Sequence, residues 1–268
     1  MNITIIIGGL PVCITTGDVA FHHLLRRQYA GFLALPEGVQ ADPALTPVEL
    51  EIELATPSRI ADDEDLQVRF EAGAWTLQRG DFHARYYPAL RRGTVRQSAN
   101  RHSIDSVIRI IHSLELAGTG GFLLHAASAV RADKAFVFSG LSGAGKTTMA
   151  RLAPADVDLL TDEVSYIRPL GEGFSAWGTP FAGELAQPGS NLVRPLGALY
   201  FLEQARENRI TPMPLGEALR LLMRNVLFFA DDSQLVARVF ETAYRFISSA
   251  EVYRLAFMPD TRVWNLIR

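Results

Sequence analysis

The alternation of apolar and polar residues predicts a strand-rich first part of the chain. Residues 48–54 alternate hydrophobic and acidic side chains without interruption, which is typical of a strand with one face in water. A helix is predicted over residues 19–35, ending before Pro36. Further strands are predicted where turn residues separate apolar runs: 3–7, 12–15, 66–71, 75–79 and 82–87. We therefore expect residues 1–95 to form a β-rich α+β domain.

From residue 96 to residue 268, helical and strand patterns alternate, which favours an α/β domain. Residues 91–100 are polar and interrupt the strand pattern, so we place the domain boundary near residue 95. Ser103 is predicted to cap a helix whose apolar stripe consists of Ile104, Val107, Ile108, Ile111 and Leu114. The other predicted strands are 122–124, 126–130, 135–139, 157–160, 164–167, 174–177, 196–202 and 252–257. The other predicted helices are 216–229, 232–248 and a terminal one after Pro259.

Composition narrows the class of protein. The chain has 268 residues, of which 48% are hydrophobic and 21% charged, enough for one large core or two ordinary ones. A net charge of −3 indicates no basic surface for nucleic acid or an acidic bilayer. The single cysteine, Cys13, cannot form an internal disulfide, and no apolar stretch approaches the roughly 18 residues of a membrane span. We expect a cytoplasmic protein that has neither nucleic acid nor a membrane as partner.

Two acidic stretches look like metal clusters only along the sequence. Glu49, Glu51 and Glu53 alternate on a predicted strand and should therefore form a solvated stripe on one face of a sheet. Residues 62–65 are predicted to form a charged loop, for which binding of a divalent ion stays an open alternative.

A glycine-rich turn between an apolar strand and a helix start carries the main chemical signal. Gly140, Gly145, Lys146 and Thr147 match the pattern G-x-x-x-x-G-K-[ST]. Residues without a Cβ let several backbone N–H groups point at phosphate oxygens. A purely structural turn is the alternative, but the pattern arises by chance in roughly 1 of 100 chains of this length, and the flanking strand and helix lower that further. The sequence predicts ATP binding through Gly140, Ser142, Gly143, Ala144, Gly145, Lys146, Thr147 and Thr148.

Three side chains have expected roles around the bound phosphates. Lys146 can reach the β- and γ-phosphates, and the hydroxyl of Thr147 can bind Mg²⁺. Asp162 follows the predicted strand 157–160, and ligands of open α/β sheets bind at the carboxyl ends of strands. The Asp162 carboxylate is therefore a candidate to bind Mg²⁺ or to accept a proton, with a solvated strand end as the alternative.

The middle of the chain resembles the catalytic domain of HPr kinase/phosphorylase and its relatives, which shares a nucleotide-binding core with phosphoenolpyruvate carboxykinase. The resemblance rests on His125, the loop 140–148 and the pair Asp162 and Glu163. It extends to the HPr-kinase-related kinases, in which the Gly-Thr-Pro-Phe run of residues 178–181 also recurs. Some peptide-modifying gene clusters carry such kinases.

The resemblance implies a P-loop kinase fold for residues 96–268 and assigns roles to three side chains. Asp162 would be the general base that draws the proton from an acceptor hydroxyl, while Glu163 would lie near the metal. His125 would assist in charge or orientation. Here Asp162 and Glu163 stand where the family has two aspartates, and residues 1–95 do not resemble its N-terminal domain. The acceptor is therefore expected to differ from HPr.

These observations predict an ATP- and Mg²⁺-dependent kinase that phosphorylates a hydroxyl group, with a serine of a protein or peptide as the expected acceptor. Such transfer depends mainly on positioning and charge neutralisation, so few further groups are required. Two alternatives stay open: an ATP-binding sensor that transfers no phosphate, and a kinase for a small molecule. Assembly into a homo-oligomer also stays open.

Overall fold

The structure, a computed structural model, describes residues 1–34, 41–56 and 65–268. Its class is mixed α/β, with two sheets and few helices. Of the acidic loop predicted at 62–65, residues 62–64 lie outside the described residues. None of the helices in the described part of the chain is long and apolar enough to cross a membrane.

By its internal contacts the chain divides into two compact units. The first unit comprises Met1–Glu115 and Phe229–Ser233, and the second comprises Leu116–Phe228 and Gln234–Arg268. The domain boundary near residue 95 stays a prediction.

The first unit contains a seven-stranded sheet. In chain order its strands are β1 (Asn2–Ile7), β2 (Leu10–Thr16), β3 (Val48–Leu54), β4 (Gln67–Glu71), β5 (Ala74–Arg79), β6 (Phe82–Tyr87) and β7 (Arg92–Gln97). Their order in the sheet is β1-β2-β3-β7-β6-β5-β4. Strand β3 runs parallel to both of its neighbours, and the other pairs are antiparallel. As predicted, β3 exposes Glu49, Glu51 and Glu53, and it buries the apolar residues between them, Val48, Leu50 and Ile52.

Two local predictions for this unit were wrong. The polar stretch 91–100 is not a break, because it contains β7, which lies between β3 and β6. Only Gly93, Val95 and Gln97 of β7 are buried, so its apolar pattern consists of a single valine. The helix predicted over residues 19–35 ends earlier: α1 spans Val19–Gln28 and is followed by a 3₁₀ turn at Ala30–Phe32. Residue 35 lies outside the described residues.

Helix α2 (Arg101–Thr119) has the predicted apolar stripe, and Ile104, Val107, Ile108, Ile111 and Leu114 are all buried. Ser103 is not its cap, because the helix begins two residues earlier and the Ser103 hydroxyl donates to Asp81. Polar side chains on α2 also form hydrogen bonds with other residues of the first unit. The Tyr29 hydroxyl donates to Asp105 at 2.5 Å, and Glu115 accepts hydrogen bonds from Tyr86 and Arg91.

The second unit contains a nine-stranded sheet. Its strands are β8 (Phe122–Arg131), β9 (Lys134–Ser139), β10 (Asp158–Thr161), β11 (Val164–Leu170), β12 (Gly173–Trp177), β13 (Val193–Gln204), β14 (Arg209–Pro212), β15 (Val226–Leu227) and β16 (Val252–Phe257). Strands β9 and β16 pair with β13 in parallel, whereas the remaining pairs are antiparallel. The helices are α3 (Lys146–Arg151), α4 (Leu215–Met223) and α5 (Ser233–Ser249).

Both faces of the central strands in this sheet are buried. Along β9, Ala135 and Val137 belong to one hydrophobic cluster, while Phe136 and Phe138 belong to another. The first cluster includes residues of α4 and α5, and the second includes residues of α3 and of the C-terminal 3₁₀ segment Thr261–Leu266. A strand that is buried on both faces consists of consecutive apolar residues. For this reason β9 is recognisable in the sequence.

Several element boundaries in the second unit differ from the sequence prediction. Residue His125 lies inside the continuous strand β8 instead of separating two strands. Helix α4 ends at Met223, because Asn225 caps its carbonyls, and the next two residues form β15 against β8. The terminal helix is a short 3₁₀ segment, and β14 was not predicted.

Removing the aromatic ring of Phe246, a member of the first cluster, should destabilise the second unit. Phe246 is fully buried and makes edge-to-face contacts with Phe122 and Phe174, with ring centroids 5.3 and 5.1 Å apart. We expect Phe246→Ala to lower the free energy of unfolding by about 3–5 kcal/mol in urea titrations. Phe240, on the same helix and half exposed, is the matched control, and Phe240→Ala should change stability by no more than about 0.5 kcal/mol.

Burial of His112 should make the first unit sensitive to acid. Burial, assisted by the Arg91 charge, lowers the pKa of His112 to about 3, so the folded state excludes a proton that the unfolded chain binds near pH 6.5. Stability should therefore fall as the pH drops from 6.5 towards 3. His112→Leu should remove this component of the pH dependence, as followed by urea midpoints at pH 7 and 4.5. His83→Leu, at an exposed position of β6, is the control and should show the same dependence of stability on pH as the wild type. If all three proteins show the same dependence, His112 is not its source.

Candidate functional site

The glycine-rich turn joins β9 to α3 and depends on residues without side chains. A Cβ on Gly140 would lie 2.8 Å from the Cβ of Ala144, inside normal contact distance. Gly143 and Gly145 have φ angles of +79° and +109°, a region that side chains disfavour. A Cβ on Gly145 would also lie 2.5 Å from the ring of Phe257, the last residue of β16. The motif glycines are therefore required by the local geometry.

Lys146 is folded back into this loop. Its Nζ donates hydrogen bonds to the carbonyl oxygens of Gly140 at 3.0 Å and Leu141 at 3.3 Å, and the side chain is buried. Burial lowers the pKa of Lys146, and the carboxylates of Glu163 and Glu184 oppose that shift. The ammonium group thus lies inside the loop, within the electrostatic reach of two carboxylates.

Asp162 anchors the segment that follows β12. One oxygen accepts a hydrogen bond from the N–H of Gly183 and the other from the N–H of Leu185, both at 2.9 Å, and the side chain is buried. Gly183 must lack a side chain, because a Cβ there would lie 2.9 Å from the Asp162 carboxylate. Asp162 therefore positions residues 183–185 beside the glycine-rich turn. Each carboxylate oxygen retains acceptor capacity beyond its single backbone donor.

The structure brings nine of the eleven predicted site residues together around one cavity of about 600 Å³, the loop cavity. Its walls come from β8, the glycine-rich turn, α3, the end of β10 and the segment anchored by Asp162. Its lining includes His125, Ser142, Gly143, Gly145, Lys146, Thr147, Thr148, Asp162 and Glu163. The remaining two predicted residues, Gly140 and Ala144, line a neighbouring cavity on the same turn.

Four lining residues were not assigned from the sequence: Ala182, Gly183, Glu184 and Gln204. Glu184 lies on the segment anchored by Asp162, 3.9 Å from Arg151. Gln204, the last residue of β13, donates its side-chain N–H to the carbonyl oxygen of Gly143 at 2.6 Å. The rule that ligands bind at the carboxyl ends of strands would have pointed to Gln204. For Glu184 no local signal exists, because its position depends on the hydrogen bonds of a distant aspartate.

The side chains that line the loop cavity could bind a metal ion together with the phosphate groups of a ligand. Within the described residues, no three His, Cys, Asp or Glu side chains are grouped so that they could hold a metal alone. Mg²⁺ is usually held by one or two carboxylates together with water and substrate phosphates. Thr147, Asp162 and Glu163 fit that second arrangement, because their oxygens border a cavity beside a phosphate-type loop.

Comparison with known proteins corrects the resemblance drawn from the motifs. A family model described as SynChlorMet cassette protein ScmC matches residues 94–267, well over half of the chain. This family is not an HPr kinase or P-loop kinase family, so the assignment to HPr kinase/phosphorylase and its relatives was wrong. The glycine-rich motif misled, because it specifies a phosphate-binding turn that occurs in proteins of many kinds. No curated protein matches the chain.

The two strained glycines of the turn should differ in their tolerance of a methyl group. Alanine at either position costs about 1–2 kcal/mol of backbone strain, but at Gly143 its Cβ would meet open space. At Gly145 the added methyl also overlaps the buried Phe257 ring. We therefore expect Gly145→Ala to lose more stability than Gly143→Ala in urea unfolding. Equal losses would show that the Phe257 contact does not restrict the turn.

Proposed function

We propose that this chain, which belongs to the ScmC family, binds ATP with Mg²⁺ at its glycine-rich turn and transfers the γ-phosphate to a hydroxyl group. The hydroxyl oxygen forms a bond to the γ-phosphorus while the bond to the β–γ bridging oxygen breaks, and ADP leaves. The proposal rests on one observation: Lys146, Asp162 and Glu163 line the same cavity. A cation next to a row of backbone amides suits a polyphosphate, and nearby carboxylates suit a metal and a proton. The proposed fold of the second unit is an α/β domain that binds the nucleotide at the carboxyl end of β9.

The phosphates are held by this chain's own donors. Lys146 now donates to two carbonyl oxygens of the turn, and on binding it would exchange them for phosphate oxygens of greater charge. Thr147 and Glu163 border the same cavity and would hold Mg²⁺, which when bound neutralises charge on the phosphates. Partial burial of the site strengthens each of these electrostatic interactions.

Asp162 is the proposed proton acceptor for the attacking hydroxyl. Its backbone hydrogen bonds hold the carboxylate in one position, and each oxygen retains acceptor capacity for a hydroxyl proton. His125 reaches the same cavity from β8 and would orient the acceptor or balance charge. Positioning of this kind, together with neutralisation of the phosphate charge, supplies most of the rate in phosphoryl transfer.

The proposed acceptor is a serine hydroxyl of a protein or peptide in the cytoplasm. The family description names a cassette protein, which favours an acceptor encoded in the same gene cassette. One observation favours the alternative of an ATP sensor: both oxygens of Asp162 already accept backbone hydrogen bonds, as expected for a structural carboxylate.

Two substitutions separate a kinase from a sensor. Lys146→Ala should weaken ATP binding in calorimetry by about tenfold or more, because it removes a charged donor from the turn. Asp162→Asn should leave the Kd for ATP within about threefold, yet lower transfer from labelled ATP by about 10²–10⁴-fold if Asp162 accepts the proton. Transfer is measured to the proteins of the same cassette and to the chain itself.

Lys134→Ala is the matched control, since this exposed lysine begins β9, whereas Lys146 follows its end. It should leave both binding and transfer unchanged. ATP binding by the wild type without transfer to any acceptor would favour the sensor. Absence of ATP binding by the wild type would exclude both functions.

A further inference from the structure

A second cavity of about 430 Å³, the side cavity, borders the same glycine-rich turn. Its lining consists of the turn residues 140–144, residues 201–204 at the end of β13, Leu221 of α4 and Arg254 of β16. Ser142, Gly143 and Gln204 line both this cavity and the loop cavity. The turn therefore separates two neighbouring cavities, and the Gln204 amide that bonds to Gly143 lies where they meet.

Both cavities lie at the edge of the sheet where ligands of open α/β sheets bind. Strands β9 and β16 run parallel to β13 on either side, with Ser139 opposite Phe201 and Phe257 opposite Gln204. The carboxyl ends of all three strands therefore lie side by side beneath the turn. Crevices outside such ends are the usual binding positions in this class of sheet.

The two cavities differ in chemical character. Four carbon-rich side chains, those of Leu141, Phe201, Leu202 and Leu221, contribute to the side cavity, and Leu141 is 48% exposed there. The loop cavity is bordered by charged groups and hydroxyls instead. A nucleoside triphosphate has the same division, with an anionic tail and a flat base that needs apolar contacts.

Arg254 places a fixed cation at the polar side of the side cavity. Its guanidinium lies 3.6 Å from Glu203 and is hydrogen-bonded to Glu217 of α4. Held by two carboxylates, the guanidinium loses little further freedom when a ligand binds, and its planar face can stack on an aromatic ring. The Glu203 carboxylate is an acceptor of the kind that ribose hydroxyls can satisfy.

We propose that the side cavity binds the base and ribose of a nucleotide whose phosphates lie against the glycine-rich turn. Leu141 and Leu221 contact the base, and Arg254 with Glu203 forms the polar edge. This inference rests on the proposed function, because it takes the turn as the phosphate site. It adds where the base and ribose of that nucleotide bind, and therefore predicts that a bare polyphosphate binds more weakly than ATP.

Comparing ATP with inorganic tripolyphosphate tests this assignment. Calorimetry with both ligands in Mg²⁺ should show that Arg254→Ala raises the Kd for ATP by about tenfold while the Kd for tripolyphosphate changes by less than about twofold. Leu141→Ala should also raise the Kd for ATP while leaving the Kd for tripolyphosphate nearly unchanged. Because Leu141 is exposed on the turn, this second variant keeps the test valid if Arg254→Ala misfolds. Arg209→Ala is the matched control, because this exposed arginine lies on β14 outside the cavity, and it should change neither value.

The outcomes separate the two proposals. If wild type binds tripolyphosphate and ATP equally well, or if both variants weaken both ligands equally, the nucleoside assignment is overturned and the phosphate site stands. If wild type binds neither ligand, the proposed function fails and the nucleoside assignment fails with it.

Discussion

The parallel pairing of β9 with β13 is the interaction on which the arrangement of the second unit depends. Together with the parallel pairing of β13 with β16, it places the carboxyl ends of β9, β13 and β16 at one edge of the sheet, whose two faces are both buried. The chain leaves β9 at that edge and must turn back over its neighbours, which requires glycine at Gly140 and Gly145. Polar groups then collect where the sheet ends, since apolar clusters occupy both of its faces.

Placing an ammonium group inside the turn is unfavourable unless oxygen atoms surround it. Two carbonyl oxygens of the turn bind Lys146 directly, and the carboxylates of Glu163 and Glu184 favour its charge from further away. The two neighbours of Glu184, Gly183 and Leu185, donate backbone hydrogen bonds to Asp162. Asp162 thus helps to place a second carboxylate, and both line the same cavity.

Local features of this structure could be read from the sequence, whereas features that depend on distant contacts could not. The glycine-rich turn was found because its residues are contiguous and each has a steric reason for its identity. Strand β7 was missed because its buried face consists of Gly93, Val95 and Gln97, and its pairing with β3 compensates for that weak pattern. Glu184 and Arg254 reach the turn through tertiary contacts, which have no signature along the chain. The family resemblance failed for a related reason: a short motif specifies a turn and leaves the rest of the protein undetermined.

Asn225 connects the walls of the two cavities through the backbone. Its N–H and side chain bond to the carbonyl oxygens of Leu222 and Leu221, and its own carbonyl oxygen accepts from the N–H of His125. Because buried hydrogen bonds of this kind are costly to break, α4 and the middle of β8 are tied together by one residue. The backbone carbonyl of Leu221, which lines the side cavity, and the backbone N–H of His125, which lines the loop cavity, are therefore joined through a single buried asparagine.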